Sequence, residues 1–342
     1  MMQSTRALRH ILCATDLTPR STPAWQRAVA LARQTRAKLT LLHVIDSRQP
    51  ERVARMRANR AYAQLLSKVD RTFGSATSVD VVVRSGKARE IIATTASEWD
   101  ADLIVLAAPR SRRLDSVVGT TAERLVRTAK RPVLVVRRDV RGSYRNVAIA
   151  ADLSNAAAPM IRTAVHLGAL DRARATIVHA VHPSYDGMMR SAGLDESTIA
   201  GYQRSSQEHA RRRLRKIVAD AGLAVASTRL IVKNDSAASA IRTVLEYERP
   251  ELLAIGASRW FLLKRLLIGS VADRMLRAAQ CDVLVIPYRP AVLRLGANAV
   301  TPSAELSAIS VRRDVTAAAG LVPIQSRLQK HDGGDRRAHA HE

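Results

Sequence analysis

Two aspartates stand where chemistry could be done in this 342-residue chain. Asp16 closes the apolar run ILCAT and Asp152 closes VAIAA, and each is followed by Leu and then a hydroxyl residue, Thr18 or Ser154. A carboxylate just beyond a strand of a doubly wound sheet lies where such sheets bind ligands, and it can accept from a ribose hydroxyl or an adenine amino group. It can also satisfy free N–H groups at the start of the next helix, as Asp, Ser and Thr do. The residues alone leave both readings open.

A second element is IGSVADRML, residues 268–276. Gly269 would let backbone approach a ligand, and Ser270 opens a helix whose N-terminal amides favour phosphate. Gly256 ends an apolar run upstream, with Arg259 between the two glycines. A matching stretch, VGTTAERLV, carries Gly119 and Thr120, but Ala107 stands where Gly256 does and the intervening loop is one residue shorter. Thr120 with Glu123, and Ser270 with Asp273, have capping-box spacing, which is compatible with phosphate binding. His43 and His179 fall inside apolar runs and read as hydrogen-bonded strand residues. His179 and His182 share no face and have no third ligand, and His339 and His341 near the terminus read as bystanders, so no metal is expected.

These elements come in pairs because most of the chain is written twice. ILCATDLT (11–18) returns as VAIAADLS (147–154), LLHV (41–44) as IVHA (177–180), and VRSGKAREII (83–92) as VKNDSAASAI (232–241). VVGTTAERLVRTAKRPVLVV (117–136) returns as LIGSVADRMLRAAQCDVLVI (267–286), setting Pro132 on Asp282. A repeat of this length is a whole domain, not a solenoid unit.

Within each copy, short apolar runs alternate with helical patterns. In copy one, Trp25, Ala28, Val29 and Ala32 fall at i, i+3, i+4, i+7, and Tyr62, Leu65, Leu66, Val69 and Phe73 form a second stripe. Five strands separated by four helical segments predict, in each copy, a parallel sheet covered on both faces, a doubly wound α/β fold. Copy two has a longer connection, residues 182–224. There Ala210, Leu214, Ile217, Val218 and Ala221 form an apolar stripe, while Arg204, Arg211, Arg212 and Arg215 face away from it. The expected domains are 6–139 and 143–289. Residues 290–342 lose the period and are expected to form a disordered tail.

The net charge is +25 and aromatic residues are 3% of the chain. Such a charge can attract polyanions, but base-stacking platforms are scarce and no helix-turn-helix or zinc pattern occurs. Nucleic acid is therefore not an expected partner, and any such binding would be electrostatic. No apolar run approaches membrane-spanning length, and none near the N-terminus has the length of a signal-peptide core. Cys13 and Cys281 occupy non-equivalent positions, which argues against a disulfide framework. A cytoplasmic protein without a membrane partner is expected. No Walker lysine motif, GxSxG elbow or HExxH occurs, so the chain reads as no enzyme; a slow ATP hydrolase is the alternative.

Taken together, the ATDxS-like first strand, LLHV in the second, a Gly-bearing fourth strand and GSVAxR before a last VLVV strand resemble the universal stress protein family in its tandem form. The resemblance implies a stress-response role without turnover, and ATP as the cofactor where one is bound. Its ATP-binding members carry Gly-x2-Gly-x9-Gly followed by Ser or Thr. Copy two fits with Gly256, Gly269 and Ser270, but has Arg259 in place of the middle glycine, where a guanidinium either obstructs phosphates or pairs with them. By the same resemblance Asp152 meets the adenosine, Ala180 offers backbone to adenine, and Val271 joins the phosphate site. Copy one keeps only Asp16, Val44, Gly119 and Thr120, with Ala107 and Arg110 at the first two glycines. Single-domain relatives pair through the last strand. VLVV (133–136) and VLVI (283–286) are therefore expected to pair within one chain, with a further homodimer as an open alternative.

Overall fold

The computed structural model describes residues 8–46, 48, 50–73, 79–108, 121–140, 142–169, 173–182, 186–257 and 270–287. The tail, residues 290–342, lies outside them.

Copy one runs β1 (His10–Thr15), α1 (Thr22–Thr35), β2 (Lys38–Ile45), α2 (Glu51–Phe73), β3 (Val79–Ser85), α3 (Ala88–Glu98), β4 (Leu103–Ala107), α4 (Thr121–Thr128) and β5 (Val133–Val136). Copy two follows with β6 (Asn146–Ala150), α5 (Ala157–Ala164), β7 (Arg174–Val181), α6 (Asp186–Ser191), α7 (Glu196–Asp220), β8 (Arg229–Asn234), α8 (Ala237–Glu248), β9 (Leu252–Ala257), α9 (Ser270–Ala278) and β10 (Asp282–Pro287). The strands form one ten-stranded sheet in the order β3-β2-β1-β4-β5-β10-β9-β6-β7-β8. Every pairing is parallel except the central one, where β5 and β10 run antiparallel with Val133 opposite Val285 and Leu134 opposite Leu284.

Both faces of the strands are apolar because helices cover both. On one face Leu134, Val136, Leu284 and Ile286 join the core beneath α1, α2, α5 and α7. On the other, Val133, Val135, Val283 and Val285 pack under α3, α4, α8 and α9. Equivalent helices thus share a face, and the copies are related by a pseudo-two-fold axis through the β5–β10 ladder. The apolar stripes behave as their periods require: Trp25, Ala28, Val29 and Ala32 of α1 are buried, as are Ala210, Leu214 and Val218 of α7, whose arginines 204, 211, 212 and 215 are exposed.

Two features break the symmetry. The helix after β6 is shorter than α1 and passes into a π-helical turn, Val165–Ala169, a device often found near functional sites. The ends of β5 and β10 are also tied differently. Asp282, fully buried, accepts from Tyr144 Oη at 2.7 Å and from the backbone N–H of Arg137 at 2.8 Å and Arg138 at 3.2 Å. Arg27 Nε lies 3.7 Å from Asp282 Oδ2, and its guanidinium sits 3.9 Å from the centre of the Tyr144 ring. Arg137 also reaches the carbonyl of Leu276 and Arg138 that of Gln280, at the C-terminal end of α9.

Candidate functional site

In each copy the first strand ends in a carboxylate that turns back on its own chain. Asp16 Oδ1 accepts from Thr18 N at 3.0 Å and Thr18 Oγ1 at 2.7 Å; Asp152 Oδ1 accepts from Ser154 N at 3.1 Å and Ser154 Oγ at 2.6 Å. Neither aspartate caps a helix. Residues Ser21 and Ala156 stand at the N-caps of α1 and α5, without side-chain cap bonds. The carboxylates instead close an Asx turn, which shapes the backbone between strand and helix.

The histidines have one role in both copies. His43 Nδ1 donates to the Thr15 carbonyl at 2.9 Å, and His179 Nδ1 to the Ala151 carbonyl at 2.9 Å. Each ring pins its strand to the last residues of its neighbour, which sets the separation of the strand ends where the chain parts to either face.

Over those ends in copy two lies a cavity of about 540 Å³, a volume typical of small-molecule sites. Asp152, Ala180, Gly256 and Val271 all line it, drawn together from β6, β7, β9 and α9. Its walls are mostly apolar: Ala157 and Met160 from α5, Ala237 and Ile241 from α8, Ile286 from β10. A Cβ on Gly256 would lie 3.8 Å from Met160 Cγ, an ordinary contact, so the glycine keeps the floor of the cleft low instead of relieving a clash. Ser270 is the first residue of α9. Arg259 and Gly269 lie outside the described residues, as do Gly119 and Thr120.

In copy one, Asp16 is exposed and Val44 half-buried, and neither lines this cavity. The acids of the two capping-box patterns have a joint partner: Arg277 lies 3.3 Å from Glu123 Oε1 and 3.5 Å from Asp273 Oδ2, bridging α4 and α9.

Beyond its apolar copy-two walls, which the sequence did not mark either, the cavity reaches four residues of copy one that sequence reasoning missed: Leu8, Asp102, Arg131 and Pro132. They precede β1, β4 and β5. Because β5 and β10 are antiparallel, the leading ends of copy one's strands meet the trailing ends of copy two's. The pseudo-two-fold mate of this junction is a second cleft, about 400 Å³, lined by Arg27, Arg137, Arg138, Asp139, Glu251 and Asp282 with Gly142 and Ser143. At the offset relating Asp16 to Asp152, Leu8 corresponds to Tyr144 and Arg27 to Thr163; at the offset of the last strands, Pro132 corresponds to Asp282 and Arg131 to Cys281. One junction carries a buried ionic cluster around Asp282, and its mate opens as the larger cavity, with Leu8 and Pro132 where the first has Tyr144 and Asp282. Of these mismatches, that of Pro132 with Asp282 is visible when the two copies are aligned, without a structural meaning for it.

Among the described residues, no cluster of three or more His, Cys, Asp or Glu side chains is arranged to hold a metal ion, and no helix is long and apolar enough to cross a membrane.

A twice-repeated, doubly wound α/β fold with its cleft at the carboxyl edge of the strands is the class that these elements define. Residues 7–137 and again 143–287 match the model of the Universal stress protein family, and the chain belongs to that family as a tandem, two-copy member. A universal stress protein of Archaeoglobus fulgidus has a similar structure, with a TM-score of 0.62 over 82% of this chain and 97% of that one, at 16% identity. A Pseudomonas aeruginosa protein whose function is described as unknown superposes with a TM-score of 0.59 over 82% and 93% of the two chains, at 20% identity. A Staphylococcus haemolyticus protein that carries the universal stress protein name is 27% identical over 153 residues, 42% of this chain and 85% of that protein.

Proposed function

We propose that this chain is a cytoplasmic stress-response protein that works by occupancy and not by turnover, its second copy binding ATP or a related nucleotide. The observation that carries the reading is the convergence of Asp152, Ala180, Gly256 and Val271 on one cavity. Asp152 spends Oδ1 on Ser154, and Oδ2 is left to accept from a ribose. The backbone of Ala180 borders the position for adenine, and the first turn of α9 offers free N–H groups to phosphate. Among the described residues lining the cavity the one hydroxyl, that of Thr163, donates to the Pro159 carbonyl, which favours a binding role over a covalent route to hydrolysis. In copy one the corresponding strand ends adjoin the charged junction around Asp282, which supports assigning that half to scaffold duty. The last strands are occupied with each other in the β5–β10 ladder, so a homodimer would have to use other surfaces.

The test is calorimetric titration of ATP into the full chain at physiological salt. One site per chain is expected. Asp152→Ala should weaken it by about tenfold, the loss of one hydrogen bond to a charged acceptor, and Asp16→Ala should leave it unchanged. Absence of heat at two temperatures, or equal loss from both variants, would overturn the assignment, and phosphate release above blank would move the protein to the hydrolase class.

A further inference from the structure

The nucleotide site assigned to copy two ends on copy one. The carboxyl edge presents, side by side, the ends of β7, β6, β9 and β10 and then the start of β5. Ala180 lies at the first of these, Asp152 just beyond the second and Gly256 at the third. At about 4.8 Å per strand, the four steps from β7 to β5 cover roughly 19 Å. This is the order, and comparable to the length, of base, ribose and an extended phosphate chain. Extending the antiparallel register by two residues beyond Val285 and Val133 sets Arg131 opposite Pro287, and both line the same cavity.

We infer that Arg131 of copy one is the cation that receives the terminal phosphate of a nucleoside triphosphate held in copy two, so that the site is built from both copies. This rests on the nucleotide reading above. Arg131 Nη2 donates to Asp100 Oδ1 at 2.6 Å, and its side chain is 20% exposed. That carboxylate holds one corner of the guanidinium. The remaining donors of the fork are available for a phosphate, which accepts from such a planar group in a bidentate manner. The pseudo-symmetric position is the buried Cys281, which cannot serve, and the carboxylate of Asp282 follows it. Copy one's own cleft therefore has no cation at this position, and the arginines that line it, Arg27, Arg137 and Arg138, are engaged with Asp282 and with the carbonyls of Gly142, Leu276 and Gln280. Loss of a guanidinium at one junction and a carboxylate at the other makes the pair of sites unequal even before the glycine loops are considered.

The experiment compares adenosine, ADP and ATP by calorimetry on the full chain, in the wild type, Arg131→Gln and Asp100→Asn. Arg131→Gln should reduce ATP affinity about tenfold and leave adenosine affinity unchanged, while Asp100→Asn, which frees the guanidinium, should retain ATP binding. A second readout needs no variant: ATP, but not adenosine, should protect Arg131 of the wild type from phenylglyoxal, read by peptide mass spectrometry. ATP binding that is indifferent to Arg131→Gln, a parallel loss of adenosine, or equal protection by the two ligands would overturn the inference and leave the nucleotide reading standing. If neither ligand binds the wild type, both fall together.

Discussion

Tyr144 donates its hydroxyl to Asp282 Oδ2 at 2.7 Å, linking the first residues of copy two to the start of the last strand. Burial, with the Asp282 carboxylate beside it, pushes the Tyr144 phenol well above its usual range. Arg27, from copy one, closes the group: its guanidinium lies over the Tyr144 ring and donates to the Gly142 carbonyl at 2.7 Å. The cluster thus locks copy one to copy two on one side of the pseudo-two-fold axis, while its mate stays open as a cavity.

Removing two members should cost less than the sum of removing each. Asp282→Ala strands a buried guanidinium and is expected to lower unfolding free energy by about 3–5 kcal/mol in urea titrations. Arg27→Ala with Asp282→Ala should cost less than the sum of the single changes, because the two sites share one interaction. Strict additivity would show that the ion pair is incidental to the junction.

Acid should loosen copy one through His10. Its Nδ1 donates to the Trp99 carbonyl at 2.8 Å and its Nε2 accepts from Thr40 Oγ1 at 2.8 Å, bracing β1 against β2 and the end of α3. Burial is the main cause that holds its pKa below 6.5, against the opposing Trp99 carbonyl. The unfolded imidazole therefore takes up its proton as pH falls through about 6.5 while the folded one resists, so the unfolded state binds more protons and stability drops. Between pH 7.5 and pH 5.5 the wild type should lose more Tm than His10→Asn, which carries the residue that copy two has at this place. Identical slopes would remove His10 as the cause.

Neither thiol should react in the native protein. Burial pushes Cys13 up to about 12 and Cys281 up to about 11, so thiolate is scarce at neutral pH and the sulfurs are covered. Ellman's reagent at pH 8 is expected to find no thiol before denaturant is added and both afterwards. A fast native phase would reveal local opening of β1 or of the loop before β10.

The residues themselves determined that the chain holds two copies of one α/β unit, because strands covered on both faces need uninterrupted apolar runs and the helices between them need a 3.6-residue stripe. They also determined where a ligand could lie. Asp16, Asp152, Gly256 and the two strand histidines sit at strand ends whose position is fixed by chain order alone. The sequence could not reveal what Asp16 and Asp152 bond to, since a capping bond and an Asx turn use the same residues at nearly the same spacing; backbone direction beyond the strand decided for the turn. Nor could it reveal the difference between the two junctions. Asp282 meets Tyr144 across 138 positions of chain, and Arg131 reaches the copy-two cavity only because β5 and β10 run in opposite directions. Local pattern encodes which face of an element is apolar, but which side chains meet at a junction depends on the relative placement of whole copies, and only the tertiary structure fixes that.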